Sequence, residues 1–288
     1  MLDNGLWSNF GGDGMKLKDF LKGKLIKKQI ELVPSSFDVV GDIAILEIPV
    51  ELEKKEKIIG NALLGLHRNI KVVCKKSGLH TGIFRRQQLR IIAGEKRKTT
   101  EYKENNVRMR LHVQDVYFSP RLSSERKRIM EMIKKDENVL VMFSGCAPYV
   151  LVIAKNTDAK EVYGIEINPI AHKFGLENVK LNKLNNVKLF NGDVRMVGPT
   201  LKKKFDRILM PLPLGGENFL DVALSLIKKN GIIHYYDFKE EGAFDISKKK
   251  VRDACKSAKK KYRILNLKKC GQIGKRNYRI CIDFKVLN

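Results

Sequence analysis

Three predicted strands between Asn138 and Asp193 constrain the fold of this chain more than any other feature. The hydrophobic strand VLVMF runs into the small-residue loop SGCAP, VYGIE ends in Glu166, and VKLF leads through Asn191-Gly192 to Asp193. In a doubly wound sheet, a small-residue loop lets the backbone approach a nucleoside, and an acid ending the second strand accepts hydrogen bonds from ribose hydroxyls. The pattern predicts a Rossmann-type α/β sheet that binds a nucleoside.

The loop sequence narrows the choice of ligand. SGCAP differs from the GxGxxG loop of dinucleotide-binding sheets, and one carboxylate follows each of the next two strands, which is more typical of S-adenosylmethionine than of NAD. We therefore predict that Gly145, Glu166 and Asp193 contact this methyl donor. Two alternatives stay open, because a strand-end acid can simply be solvated and Gly-Asp is common in turns.

The charge of the chain favours a polyanionic partner. The sequence has 57 Lys+Arg against 32 Asp+Glu, which gives a formal net charge of +25. Such an excess attracts nucleic acid, although a general solubility bias could also produce it. Basic residues concentrate in IFRRQQLR, in SSERKRIM and in KKKVRDACKSAKKKYR. The predicted RNA-binding residues are Arg86, Arg90, Arg126, Lys248, Lys249, Lys250 and Arg252; the alternative is a solvated basic surface.

Cysteine spacing and hydropathy exclude several classes of protein. The five cysteines include no CxxC pair, so we predict neither a metal site nor a disulfide framework, and a reducing cytoplasm as the location. No apolar run approaches the ~20 residues that cross a bilayer. His234 lies inside the apolar strand GIIHYYDF and is predicted to be a hydrogen-bonded core histidine.

We expect two domains. Residues 1–15 lack any clear pattern and are expected to be flexible, residues 16–106 to form a smaller α/β domain, and residues 107–288 to form the Rossmann-type domain. The region 75–106 is polar and glycine-punctuated, which predicts a loop with at most short elements.

Several helices have recognisable limits. We predict helices over Lys16–Lys28, Leu52–His67, Phe219–Lys229 and Ser247–Lys261. Ser124 is expected to cap the helix after SPRL, and Asn168-Pro169 to begin the helix after Glu166.

The segment YFSPRLSSERKRIM lies just before the first nucleoside-type strand. Arg121 and Glu125 are four residues apart, so an ion pair on a helix is one interpretation. The other is that Glu125 acts as a general base in a cleft. Pro211 and Pro213 follow the fourth strand, where they either help to hold the methyl-acceptor group or form a tight turn.

These segments together resemble the archaeal and eukaryotic tRNA (guanine-37 N1)-methyltransferase family, a Rossmann-type (class I) S-adenosylmethionine enzyme. The matching pieces, in order, are SFDVVGDIAIL, FRR with AGE, VYFSPRLSSERKRIM, VMFSGCAP, IEINP, NGDVR, MPLP, GIIHYY and DFKV. The resemblance implies that the smaller domain binds RNA and that the partner is the anticodon stem-loop of tRNA. It also implies methyl transfer to N1 of guanosine 37, and we expect a monomer that does not associate with membranes.

Site residues follow from the resemblance position by position. Glu125 resembles the general base for guanine N1, and Arg85 matches the arginine that holds guanine O6. The implied donor contacts are Tyr117, Arg121, Phe143, Gly145, Glu166, Asp193, Pro211 and Pro213.

Some positions depart from the family pattern. Val141 stands where an acid is common, Ala147 replaces a glycine, and Pro211 replaces an asparagine found in some members. We also expect the family's extra N-terminal domain to be absent, with weaker dependence on whole-tRNA shape.

Three alternatives stay open: an aminocarboxypropyl transferase of the wyosine pathway, a dual-specificity methyltransferase that also acts on the wyosine precursor, and a non-catalytic tRNA-binding protein. Relatives of the first kind tend to lack the residues present here as Arg121 and Glu125.

Overall fold

The computed structural model describes residues 16–82, 84 and 86–288, which divide into two compact units. The smaller unit contains the described residues up to Lys103 together with Arg108–Arg121, and the larger unit contains Glu104–Val107 and Leu122–Asn288. The boundary expected near Asn106 therefore falls inside a short segment that clusters with the larger unit. No helix in the described ranges has the length and apolar character needed to cross a membrane.

The helices of the smaller unit are shorter than the sequence predicts. They are α1 (Leu17–Phe20), α2 (Lys27–Leu32) and α3 (Glu56–Leu66), with a 3-10 helix over Val50–Lys55 before α3. The single helix predicted over Lys16–Lys28 is wrong, because Gly23 adopts a φ of 82° and separates α1 from α2. The prediction over Leu52–His67 is confirmed, with a 3-10 first part.

Four strands form the sheet of the smaller unit in the order β1 (Asp38–Val40), β2 (Ile43–Leu46), β3 (Val72–Thr81) and β4 (Arg86–Gly94). A separate pair consists of β5 (Thr99–Glu104) and β6 (Val107–His112). The predicted loop over residues 75–106 is wrong, since much of it is strand. In β4, Leu89 and Ile92 are buried while Arg90 is exposed, so one face is solvated and the segment reads as polar.

The larger unit alternates helices and strands as the sequence predicts. Its elements are α4 (Ser123–Glu131), β7 (Asn138–Met142), α5 (Pro148–Asn156), β8 (Glu161–Glu166), α6 (Pro169–Leu181), β9 (Val187–Asn191), α7 (Val194–Thr200), β10 (Phe205–Met210), α8 (Leu220–Leu226), β11 (Ile227–Glu240), α9 (Phe244–Ser257), β12 (Tyr262–Gly274) and β13 (Asn277–Val286), with short 3-10 helices over Pro120–Leu122 and Gly216–Phe219.

The seven-stranded sheet of this unit has the order β12-β13-β11-β10-β7-β8-β9. Strands β9, β8, β7, β10 and β11 are parallel, and β13 is antiparallel to both of its neighbours. The chain proceeds from β7 to β8 and β9, then returns to place β10 on the other side of β7. Strands β7 and β10 therefore flank the topological switch point, where open α/β sheets bind ligands outside the carboxyl ends of their strands. The predicted Rossmann-type sheet is confirmed.

The ends of four helices of the larger unit can be compared with the limits predicted from the sequence. Asn168 caps α6, because its side chain accepts hydrogen bonds from the amides of Ile170 and Ala171, and Pro169 opens the helix as predicted. The cap predicted at Ser124 is wrong, since α4 already begins at Ser123 and has no side-chain cap. Helix α8 ends at Leu226 rather than Lys229, because the following residues enter β11. Helix α9 begins and ends three to four residues earlier than predicted, at Phe244 and Ser257.

Candidate active site

The loop after β7 has an unusual backbone. Phe143, Gly145 and Ala147 have φ values of 60°, 57° and 71°, so left-handed residues alternate along it. Only glycine adopts this conformation without steric cost, which explains Gly145 directly. Hydrogen bonds hold the loop, since the amide of Ser144 donates to the carbonyl of Ile165 at 2.9 Å. The loop is therefore a compact turn at the switch point, and at Gly145 it has no side chain.

Glu166 ends β8 beside this loop, where the sequence predicts it. One of its carboxylate oxygens accepts the Gly145 amide at 2.6 Å, and the other accepts the Asn168 amide at 2.7 Å. The residue is 8% exposed. Burial raises the pKa of Glu166, while the backbone amides of Asn168 and Gly145 oppose that rise. The carboxylate as a whole keeps acceptor capacity for a ligand hydroxyl.

Asp193 follows β9 and caps α7, where its Oδ1 accepts the Arg195 amide at 2.8 Å. The Arg195 guanidinium lies 3.9 Å from the ring centroid of Phe219, and its Nη2 donates to the Asn218 carbonyl at 2.9 Å. Phe219 packs edge-on against Phe143, with centroids 4.9 Å apart. Two aromatic rings and a carboxylate thus collect near the carboxyl ends of β7 and β9. Arg195 and Phe219 were not predicted from the sequence, although NGDVR already contains the arginine.

The segment after β10 is a tight turn. The Leu212 amide donates to the Met210 carbonyl at 2.7 Å, which closes a three-residue turn centred on Pro211. Pro213 is buried, and Pro211 is partly exposed. The turn conformation anticipated as an alternative is present, and the prolines lie on the β10 side of the switch point.

Glu125 is buried in the first turn of α4, with 5% exposure. Its Oε2 accepts Nε of Arg128 at 2.7 Å, and its Oε1 accepts Nη2 of Arg128 at 2.7 Å. The Tyr236 hydroxyl also donates to Oε1, at 2.6 Å. The ion-pair partner of Glu125 is therefore Arg128, whereas Arg121 pairs with Asp38 at 2.7 Å in the smaller unit.

Behind Glu125 runs a series of buried polar contacts. Arg128 Nη1 donates to Asp283 Oδ2 at 2.7 Å, and Asp283 Oδ1 lies 2.6 Å from His234 Nδ1. His234 Nε2 lies 2.8 Å from Arg207 Nη1, and Arg207 is paired with Glu137. We call the set formed by Glu125, Arg128, Asp283, His234, Arg207, Glu137, Tyr236 and Tyr149 the Glu125 network; in it Tyr149 and Tyr236 join their hydroxyls at 3.2 Å. His234 is the hydrogen-bonded core histidine that the sequence predicts.

The electrostatics of this network follow from burial opposed by ion pairing. Burial lowers the pKa of His234, only partly offset by Asp283. For Asp283, burial alone would raise the pKa, but hydrogen bonds and charges from His234 and Arg128 hold it well below the ordinary value. Burial alone would lower the pKa of Arg128, yet the hydrogen bonds to Glu125 and Asp283 raise it. His234, Cys281 and Asp283 also place three potential metal-ligand atoms within 4.8 Å, but the network already engages the histidine and the carboxylate.

The remaining predicted residues divide between the two units. Arg85 lies outside the described residues. Within the smaller unit, Arg90 makes two hydrogen bonds to Glu56, of 2.5 and 2.7 Å, and the Arg86 guanidinium lies 5.4 Å from the Phe84 ring centroid. Tyr117 also belongs to this unit and is partly exposed.

The predicted basic residues of the larger unit have different surroundings. Arg126 is 1% exposed and paired with Glu104, so its charge is already matched inside the protein. Lys250 lies 2.9 Å from Glu217 and 3.0 Å from Asp237. Helix α9 buries Ser247, Val251 and Cys255, which leaves a solvent-facing side that carries Lys248, Lys249 and Arg252.

The sequence carries a usable signal for only part of this site. Glu125 and Arg128 are three residues apart, which places them on the same helix face. Tyr236 and Asp283 occur in the predicted strands GIIHYYDF and DFKV, but a strand pattern alone does not show that they meet Glu125 across the sheet.

Two family profiles match the chain. The TRM5/TYW2 methyltransferase domain matches residues 100–265, and the TYW2 N-terminal domain matches residues 17–98. The boundary between them falls near the start of β5.

Individual relatives agree with these profiles. The tRNA (guanine(37)-N(1))-methyltransferase Trm5b of Pyrococcus abyssi is 40% identical over 255 residues, covering 88% of this chain and 76% of that protein. The tRNA (guanine(37)-N(1))/4-demethylwyosine(37)-methyltransferase Taw22 of Nanoarchaeum equitans is 34% identical, covering 88% and 100%. Among solved structures, aTrm5 in complex with tRNALeu superposes with a TM-score of 0.82 and 34% identity, covering 95% of this chain and 78% of that chain.

Proposed function

The chain belongs to the TRM5/TYW2 methyltransferase family, and from that premise we propose that it transfers a methyl group from S-adenosylmethionine to N1 of guanosine 37 in tRNA. The relative from Pyrococcus abyssi carries that activity in its name, and the similar aTrm5 was solved with tRNA bound. The observation in this protein that carries the proposal is the loop that follows β7 at the switch point, where the Gly145 amide donates a hydrogen bond to Glu166 at the end of β8.

The residues at the switch point fit a nucleoside-containing methyl donor. Glu166 has spare acceptor capacity for ribose hydroxyls. Gly145 has no side chain and a left-handed backbone, so a ligand can approach the main chain of this loop closely. Phe143, Phe219 and Asp193 provide two aromatic rings and a carboxylate for a purine base. When bound, S-adenosylmethionine supplies a methyl group on a sulfonium sulfur that is open to displacement by a nitrogen.

Glu125 is proposed to remove the proton from guanine N1. Arg128 and Tyr236 fix the carboxylate, so the enzyme contributes position and proton acceptance rather than new covalent chemistry. Arg85 is proposed to stabilise the negative charge that develops on guanine O6. Tyr117, Arg121, Pro211 and Pro213 remain proposed neighbours of the donor.

The anticodon stem-loop is the proposed RNA partner of a monomeric enzyme. Lys248, Lys249 and Arg252 face solvent on α9 and are proposed to contact phosphates. Arg86 and Arg90 are proposed contacts from the smaller unit. Guanosine 37 would have to leave its stack to reach a buried carboxylate, as bases do in other enzymes that modify them.

Mass analysis of tRNA nucleosides after incubation with enzyme and S-adenosylmethionine tests this proposal. We expect the mass gain of one CH2 on guanosine, and no gain on a transcript with adenosine at position 37. A gain that matches an aminocarboxypropyl group would identify the other reaction of the wyosine pathway. Absence of any gain, together with no heat of S-adenosylmethionine binding in calorimetry, would indicate a tRNA-binding protein without catalysis.

A second activity is favoured by one specific relationship. The Nanoarchaeum equitans relative, whose name includes 4-demethylwyosine(37) as well as guanine(37), is matched over 100% of its length. We propose that this chain also methylates 4-demethylwyosine. tRNA carrying this base, offered in place of guanosine 37, would gain one CH2 if the proposal holds and would remain unchanged if it does not.

A further inference from the structure

We propose that Arg128 is a positioning residue for Glu125 and that Asp283, His234 and Arg207 hold Arg128 in place. This inference rests on the proposed function, because it assigns a task to the residues behind the proposed base.

The contacts of Arg128 join two carboxylates through one guanidinium. Nε and Nη2 both lie 2.7 Å from the oxygens of Glu125, while Nη1 lies 2.7 Å from Asp283 Oδ2. Two parallel hydrogen bonds between an arginine fork and a carboxylate fix the direction of that carboxylate as well as its distance. Arg128 thus determines where the oxygens of Glu125 point, and Asp283 anchors the guanidinium from the opposite side.

The state of His234 follows from its neighbours. Arg207 Nη1 can only donate, so His234 Nε2, at 2.8 Å, must accept. The ring proton is therefore on Nδ1 and is donated to Asp283 Oδ1 at 2.6 Å. A neutral imidazole in a single tautomer agrees with the lowered pKa that burial gives His234. Arg207 is fixed in turn by Glu137, at 2.8 and 3.0 Å.

The charges of the Glu125 network suit proton uptake by Glu125. Its three carboxylates, Glu125, Asp283 and Glu137, face only two guanidinium groups, those of Arg128 and Arg207. With Glu125 ionised, this largely buried network has one more negative than positive charge. A proton accepted by Glu125 removes this excess, and buried charge is costly unless it is paired.

The other titratable groups that face Glu125 do not change this balance. Burial raises the pKa values of Tyr236, Tyr149 and Cys281, so these groups are neutral near pH 7. Arg126, the next residue in α4, is matched by Glu104.

The hydrogen bonds also single out one oxygen as the proton acceptor. Oε1 of Glu125 already accepts from Arg128 and from Tyr236, whereas Oε2 accepts from Arg128 Nε among the described contacts. A carboxylate oxygen has two lone-pair directions. The geometry points to Oε2 as the atom that takes the proton from guanine N1.

The test compares Arg128→Gln and Asp283→Asn in single-turnover methyl transfer over a range of pH, with the full chain and saturating tRNA. Removal of the positive charge in Arg128→Gln should move the rising limb of the rate profile to higher pH by about one unit. Asp283→Asn removes a neighbouring negative charge, and Arg128 then has Glu125 as its only charged partner among the described contacts. The rising limb of this variant should therefore move to lower pH. A purely structural role would not shift the two limbs in opposite directions.

Two further variants separate geometry and folding from charge. Arg128→Lys keeps the charge but lacks the fork, so we expect the limb near its wild-type position and a rate about tenfold lower, as for a misplaced base. Arg97→Gln breaks an arginine–carboxylate pair with Asp42 in the smaller unit, and should lower the melting temperature without moving the limb.

Each outcome has a defined meaning. The proposal is supported if the rising limbs of Arg128→Gln and Asp283→Asn shift in opposite directions. It is overturned if neither limb shifts and both variants only have a lowered melting temperature, as expected for Arg97→Gln. If Glu125→Gln keeps wild-type turnover, the assignment of the base fails instead. If that variant is inactive while the Arg128 and Asp283 profiles match wild type, only the positioning role is refuted.

Discussion

The amide of Gly145 donates a hydrogen bond of 2.6 Å to the carboxylate of Glu166. This contact connects the loop after β7 to the end of β8, so the two predicted parts of the nucleoside site are directly hydrogen-bonded to each other. Asn168 completes it by donating its amide to the other oxygen of Glu166. The acid therefore orders the protein backbone besides being available to a ribose.

Glu166→Gln should weaken S-adenosylmethionine binding at least tenfold, because the amide side chain lacks the charge and one of the two acceptors, leaving a buried backbone amide without a partner. Isothermal titration calorimetry measures the change. Glu161→Gln, at the other end of β8, is the matched control: Glu161 pairs with Lys188 and Lys203, so this substitution should affect stability rather than affinity. Equal donor affinity in Glu166→Gln and wild type would remove Glu166 from the donor site.

Glu125→Gln should lower the single-turnover rate by about 10²- to 10⁴-fold while donor affinity stays near wild type, since the residue accepts a proton rather than binding the donor. Rapid-quench assays at saturating tRNA give the rate, and calorimetry gives the affinity. The assignment is wrong if the rate at saturation is unchanged.

Charge reversal at Lys248, Lys249 and Arg252 should weaken tRNA binding and flatten its dependence on salt, by about one unit of the log–log slope for each phosphate that is no longer neutralised. Filter binding across a salt series measures both. As a comparison, Lys250→Met should leave the slope intact but lower the melting temperature, because Glu217 and Asp237 lose their shared cation. An unchanged slope in the reversed variant places the outer face of α9 away from RNA.

Stability should decline as pH falls through about 6.5, the ordinary pKa of histidine. Burial lowers the pKa of His234, so just below pH 6.5 the unfolded chain binds more protons than the folded one, and acid favours unfolding. One such group contributes a slope of at most about 1.4 kcal/mol per pH unit. Denaturant titrations at several pH values, within about one unit on either side of 6.5, measure the slope of the free energy of unfolding against pH.

His234→Gln removes this titration and should make the decline shallower. His112 and His172, whose pKa values burial also lowers, remain in that variant, so the difference from wild type isolates His234. Identical slopes in the two proteins would mean that His234 is not held neutral in the fold.

The sequence predicted those features of the site that depend on local order along the chain. Glu166 ends a hydrophobic strand, and Asn168 and Asp193 come just after one, at the position where a parallel sheet exposes its carboxyl ends, so the pattern of strands was sufficient to find them. Pro169 marked the start of α6 for the same local reason.

Features that depend on distant contacts were not predictable in this way. Arg128 and Asp283 are 155 residues apart and meet because β13 inserts antiparallel beside β11. Charge counting along the sequence placed Lys250 and Arg126 with the RNA-facing residues, but tertiary contacts pair both with carboxylates of the protein itself, Arg126 in a buried position and Lys250 in a partly exposed one. The strands over residues 75–106 were missed because only one face of β4 is buried, which hides the hydrophobic signal.

The pairing of Arg126 with Glu104 limits how short an isolated fragment of the larger unit can be. Both residues belong to the larger unit, yet Arg108–Arg121 of the smaller unit lies between them in the sequence. A fragment that starts at Leu122 would retain the buried guanidinium without its carboxylate, at a cost of about 3–5 kcal/mol. Truncation for crystallography or engineering should therefore begin before Glu104 and carry the intervening segment with it.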